Sequence, residues 1–130
     1  MSIKKNKYGV TPLIKTCEIG NESIVKLLIE NGADVNKEDK DGDTPLINAC
    51  NYSNENIVRL LIENGADVNK ENKDGDTPLI YACRNGNENI VRLLIENGTD
   101  VNKENKYGDT PLFYACYYRN ENVVRLLKNM

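Results

Sequence analysis

At 130 residues the chain has room for one domain and one core. Its formal net charge is −3, with 17 Lys and Arg interleaved among 20 Asp and Glu, so the long-range field that would draw in nucleic acid or an anionic membrane is missing. No stretch approaches the roughly 20 apolar residues of a membrane span, and Met1-Ser2-Ile3-Lys4-Lys5 opens no secretory signal, so a soluble protein of the cytoplasm or nucleus is expected, with neither nucleic acid nor membrane as partner.

Thr-Pro-Leu begins at Thr11, Thr44, Thr77 and Thr110, a spacing of 33 residues. Self-similarity at this period marks stacked supersecondary units. Counting from the residue three before a recurring glycine gives units Asn6–Glu38, Asp39–Glu71, Asn72–Glu104 and a shortened Asn105–Met130, in one domain spanning residues 1–130. The second and third units are identical at 27 of 33 positions and must fold alike.

In each unit a short first helix is predicted from the Thr, as N-cap, and the Pro, whose missing N–H costs nothing in the first turn. A second helix follows Asn21, Asn54, Asn87 and Asn120, read as N-caps, with a Glu next at the positive end of the dipole. Its apolar residues, such as Ile57, Val58, Leu60, Leu61 and Ile62, form one broad face. Asn-Gly, as at Asn64-Gly65, supplies a left-handed stop. The following ADVNKENKDGD has Asn, Asp and Gly turn chemistry and reads as a hairpin-like loop. On the second helices Glu22/Lys26, Glu55/Arg59, Glu88/Arg92 and Glu121/Arg125 are i,i+4 pairs worth about 0.2–0.5 kcal/mol each, on a solvated outer face.

Cys17, Cys50, Cys83 and Cys116 recur at the unit period, with no CxxC and no histidine in the chain. Zinc and redox-dithiol patterns have no support, and one small buried, reduced thiol per unit is expected.

A turn and two helices in 33 residues, carrying G-D-T-P-L-I-x-A-C, N-E-N-I-V-R-L-L-I-E and N-G-A-D-V-N, closely resemble the ankyrin repeat over Asn6–Met130. The resemblance implies an all-α solenoid of stacked helix-turn-helix units joined by hairpin-like loops. First helices and loop tips would lie on the concave side, second helices on the convex side. The family usually has His after Thr-Pro-Leu, bonding neighbouring turns. Ile14, Ile47, Ile80 and Phe113 stand there, so apolar packing is expected in place of a polar ladder between loops. Arrays of this kind bury apolar surface between neighbours and need polar ends. Residues 1–5 form a short leader, and Lys128 stands where Ile62 and Ile95 do, as an outer face would want. A chain continuing beyond Met130 is equally compatible, since no loop completes the last unit.

The tenth, thirteenth and fourteenth residues of a unit share one face of the first helix, and there the units differ: Lys15, Asn48, Tyr81 and Tyr114; Glu18, Asn51, Arg84 and Tyr117; Ile19, Tyr52, Asn85 and Tyr118. The resemblance implies that this face and the loop tips bind a protein partner. Tyr and Arg dominate binding hot spots because each combines contact area with a polar handle. The expected partner-binding residues are Tyr52, Tyr81, Arg84, Tyr114, Tyr117 and Tyr118. The loop acids Asp43, Asp76 and Asp109, in a row with Asp41 and Asp74, would add a preference for a basic partner. Covering of the last unit's edge is the competing role for Tyr117 and Tyr118, and turn chemistry for the acids. A structural array segment without its own ligand is the alternative function. A monomer is expected, with end-to-end stacking the other arrangement.

Other motifs weigh less. Asp39–Asp43 lacks the Gly and Glu of a calcium-binding loop, since Cys50 stands at its twelfth position. The sequons at Asn21, Asn51 and Asn97 should not meet the glycosylation machinery. Asn36, Asn69 and Asn102 resemble asparagines hydroxylated in ankyrin repeats of some animal proteins. With no GxGxxG, P-loop or triad set, no cofactor, metal or catalytic residue is expected.

Overall fold

The computed structural model describes residues 4–130; of the leader, Met1–Ile3 lie outside the described residues. Eight helices follow in chain order: α1 (Pro12–Ile19), α2 (Glu22–Glu30), α3 (Pro45–Asn51), α4 (Glu55–Glu63), α5 (Pro78–Asn85), α6 (Glu88–Glu96), α7 (Pro111–Tyr117) and α8 (Glu121–Lys128). Among the described residues there is no strand. Odd-numbered helices pack on one another more extensively than even-numbered helices do, and each pair α1/α2 to α7/α8 forms one unit.

Local chemistry sets each start. Thr11, Thr44, Thr77 and Thr110 accept the amide three residues on through Oγ1, at 3.1, 3.2, 3.4 and 3.2 Å, with Pro in the first turn. The second helices depart from the expected capping in half of the units. Asn21 and Asn87 cap α2 and α6, while Asn54 and Asn120 make no cap bond and donate Nδ2 to the carbonyls of Cys17 and Cys83 in the preceding unit, both at 2.7 Å. The cause lies one unit back. Asn54 and Asn120 lie against Gly20 and Gly86, which have no side chain in the way. At the next connections Ser53 (φ 57°) and Arg119 (φ 60°) occupy the glycine position, in a left-handed conformation L-residues rarely adopt. Asn87 caps its own helix, and the carbonyl of Cys50 that it would reach accepts instead from Asn85 Nδ2, at 3.3 Å, which also bonds the Asn51 carbonyl at 2.6 Å.

The loops bring successive backbones together. The amides of Lys40, Lys73 and Lys106 each donate at 3.0 Å to the carbonyls of Tyr8, Asp41 and Asp74 one unit earlier. Glycine is required beneath these bonds: a Cβ on Gly42 or Gly75 would sit 2.9 Å from the next loop's amide nitrogen.

One apolar cluster runs through all four units, from Leu13, Cys17 and Val25 to Leu94, Ala115 and Val123. Ile14, Ile47 and Ile80 are buried as expected, but a polar ladder exists as well, built from asparagine. Asn72 and Asn105 donate Nδ2 to the carboxylates of Asp43 and Asp76, both at 2.9 Å. On the opposite loop edge Asn36 and Asn69 accept the amides of Asp67 and Asp100, at 2.8 and 2.7 Å, and donate to the carbonyls of Gly65 and Gly98, both at 3.1 Å. Asparagine carries donor and acceptor on one short arm, so it joins neighbouring loops without a histidine. The expected row of four buried thiols is corrected at its end: Cys17, Cys50 and Cys83 are buried, Cys116 is exposed, because no following unit covers it. Phe113 is exposed for the same reason.

Candidate functional site

The first-helix face gathers its side chains on α5 and α7. Tyr81 and Arg84 lie three residues apart on α5, while Tyr114 and Tyr118 come from the matching turn of α7 and its end. The Arg84 guanidinium stands over three rings, 5.5 Å from the centre of Tyr81 and 5.8 Å from those of Tyr114 and Tyr118. Arg84 forms no salt bridge among the described residues. Tyr117 meets Tyr118 edge-on, at 5.0 Å between ring centres, and stacks on Phe113 at 5.9 Å. Tyr52 ends α3 half a turn beyond Cys50 and makes no ring contact with this cluster among the described residues.

Two rings are locked from below. Asn72 Nδ2 donates to the Tyr81 hydroxyl at 3.1 Å, and Asn105 Nδ2 to that of Tyr114 at 2.9 Å, while Tyr114 donates to the Asp109 carboxylate at 3.4 Å. Burial, with Asp43 and Asp76 beside it, pushes the Tyr81 hydroxyl up to about 12, and burial also raises that of Tyr114. Both stay protonated as hydrogen-bonding groups at neutral pH.

The loop acids divide by role. Asp43 and Asp76 are acceptors of the asparagine ladder, and Asp109 accepts from Tyr114, whereas Asp41 and Asp74 are exposed. Desolvation raises the carboxyls of Asp43 and Asp76, opposed by the hydrogen bonds from Asn72 and Asn105. Asp39, Asp41 and Asp43 place carboxylate oxygens within 4.8 Å of one another. Asp39 Oδ1 there accepts the amides of Asp41 and Asp43 at 2.9 and 3.0 Å, so it holds the turn.

Three residues of the site were not singled out by sequence reasoning. Phe113 joins the aromatic cluster at the end of the array, and Asn72 and Asn105 tether its rings. Their signal was the first position of each unit, where Asn6, Asp39, Asn72 and Asn105 stand. An Asn there paired with Asp at the fifth position of the unit before it marks the rung. The buried thiols offer no nucleophile: desolvation pushes Cys17 and Cys83 up to about 12 and raises Cys50 as well.

The profile of the family described as "Ankyrin repeats (3 copies)" matches residues 2–72 and 64–130. A search of the curated proteins found no match. Ankyrin repeats are generally non-enzymatic modules of protein–protein interaction. With paired helices, capped by Thr-Pro and joined by hairpin-like loops, repeating along the array and the family profile covering nearly all of it, this chain belongs to the ankyrin-repeat family.

Proposed function

We propose that the chain binds a protein partner through the groove of first helices and loop tips, centred on Tyr81, Arg84, Tyr114, Tyr117 and Tyr118. Tyr52 extends the surface toward the second unit, and Asp43, Asp76 and Asp109 line its loop edge. The observation that carries this reading is Arg84 held over three tyrosine rings with no salt bridge among the described residues. Rings tethered by Asn72 and Asn105 lose little freedom on binding, so contact area there converts well into affinity. The surface needs no cofactor or metal, and its buried free thiols fit a reducing compartment, the cytoplasm or the nucleus.

The test is capture of partners from the source cell by the natural chain and by Tyr81→Ala/Arg84→Ala/Tyr114→Ala, with helical circular dichroism read on both. Loss of at least one partner by a folded triple variant is expected. Retention of every partner removes the groove from the function and favours the second reading, a structural segment of an array without its own ligand.

A further inference from the structure

Most charge along the groove is already matched, and what is left at its centre is positive. On the first-helix face Lys15 pairs with Glu18 at 3.5 Å, and the second and fourth units place neutral side chains at the matching positions, Asn48, Asn51, Tyr114 and Tyr117. Arg84 is the one charged side chain of this face with no salt bridge among the described residues. Its guanidinium also donates no hydrogen bond to them; the arginines that do so are Arg92 and Arg125, both on second helices. Arg84 is half-buried on α5, which packs between α3 and α7, so its surroundings are those of an internal unit.

The loop acids that would draw a basic partner are engaged within the stack. Asp43 and Asp76 accept from Asn72 and Asn105, both at 2.9 Å, Asp109 accepts from Tyr114 at 3.4 Å, and Asp74 pairs with Lys106 at 2.7 Å. Burial raises the Asp76 carboxyl and Arg84 opposes that rise, so the two groups feel each other, yet they form no ion pair. A guanidinium offers five N–H donors in a rigid fork. The Tyr81 hydroxyl accepts from Asn72 at 3.1 Å and donates to no protein group among the described residues, so its hydrogen is a further donor. The centre of the groove is therefore rich in donors and poor in free acceptors.

We infer that the partner received by this groove is an acidic peptide segment, one Asp or Glu of which sets its carboxylate on the Arg84 guanidinium. The inference rests on the groove reading above and adds the sign of the partner's charge. Two parallel N–H donors match the two oxygens of a carboxylate. The rings of Tyr81, Tyr114 and Tyr118 stand 5.5–5.8 Å from the guanidinium, so a carboxylate arriving there meets a cation already positioned and partly withdrawn from water, where a charge-assisted pair is stronger than at an open surface. A phosphorylated segment fits less well. Its phosphate brings about −1.5 to −2 charges at pH 7 and is ordinarily met by a cluster of arginines, whereas a single guanidinium stands here, with Asp43 and Asp76 beside Tyr81.

Panning a displayed library of short random peptides on the natural chain tests this. Selected peptides should share an Asp or Glu at one position, and synthetic copies, read by fluorescence anisotropy, should bind Arg84→Gln about tenfold or more weakly. Panning on Arg84→Glu should select Lys or Arg at that position instead, and circular dichroism reads the helix content of every variant. Peptides that lose binding to Tyr81→Ala/Tyr114→Ala but lack a shared acid, or that bind folded Arg84→Gln as tightly as the natural chain, overturn the inference and leave the groove reading standing. A phosphoserine peptide that binds more tightly than its Glu counterpart overturns the carboxylate in the same way. Peptides that bind the tyrosine double variant undiminished lie outside the groove and overturn both readings, as does a library from which no peptide is selected.

Discussion

Asp76 concentrates the residue-scale physics of the site. Its carboxylate accepts from Asn105 at 2.9 Å, and its carboxyl is held above the ordinary carboxylate range by burial first, then by Asp74 and Asp109, against the lowering effects of Asn105 and Arg84. The folded form therefore binds its proton more tightly than the unfolded chain does. Stability from this group is present at low pH and is lost as pH rises from the unfolded value through the folded one. Asp76→Asn keeps an oxygen for Asn105 and removes the charge. The variant should be at least as stable as the natural chain at neutral pH, and its urea midpoint should vary less between about pH 4 and 6. Destabilisation by 1 kcal/mol or more would mean that the charge itself holds the ladder. The identity of Asp76 as a loop acid was legible in the sequence. Its partner was not, because Asn–Asp rungs join residues 29 apart, and nothing local distinguishes such an Asp from one serving only its own turn.

Helices and their starts were the most legible elements, since Thr-Pro-Leu fixes both cap and first turn from adjacent letters. Connections between the paired helices were less so. Asn21, Asn54, Asn87 and Asn120 look alike in sequence, yet Asn54 and Asn120 reach back into the preceding unit while Asn21, in the first unit, and Asn87 cap their own helices. Gly86 illustrates the cost of changing that decision. It has φ +70°, and a Cβ there would lie 2.6 Å from Asn120 Oδ1. Gly86→Ala should lower unfolding stability by about 1–3 kcal/mol, from backbone strain plus displacement of the Asn120 side chain. Ser53→Gly, at φ 57°, should change it by less than about 1 kcal/mol, relief of strain being offset by the freedom of glycine in the unfolded chain. Thermal and urea unfolding of both variants measure this, and a neutral Gly86→Ala would refute the account of the junction.

Across the whole molecule each unit contacts only its neighbours, so stability is a sum along a line. The middle units have two neighbours and bury Leu46, Leu61, Leu79 and Leu94 almost completely; the outer ones leave Ile24, Leu27, Phe113 and Tyr117 in water. Amide hydrogen exchange in dilute solution should find the slowest amides in α3 to α6, with α1, α2, α7 and α8 exchanging at least about tenfold faster through opening of the ends. Uniform protection over all eight helices would point instead to an all-or-none unit. The stacked fold was legible because the period announces it. The aromatic cluster was legible in composition but not in arrangement: Tyr81, Arg84, Tyr114, Tyr117 and Tyr118 were expected on one face and are brought together, while Tyr52 lies apart and Phe113 joins through exposure at the end.

The junction residues Gly20, Ser53, Gly86 and Arg119 alternate between glycine and a side chain, and the asparagine that follows alternates with them between reaching back and capping. Letters repeat every 33 residues, but the bonding of the junction asparagine repeats every second unit, so the stack has parity. Removing a single internal unit from this chain would put two junctions of the same kind in succession; removing two adjacent internal units would leave the phase intact.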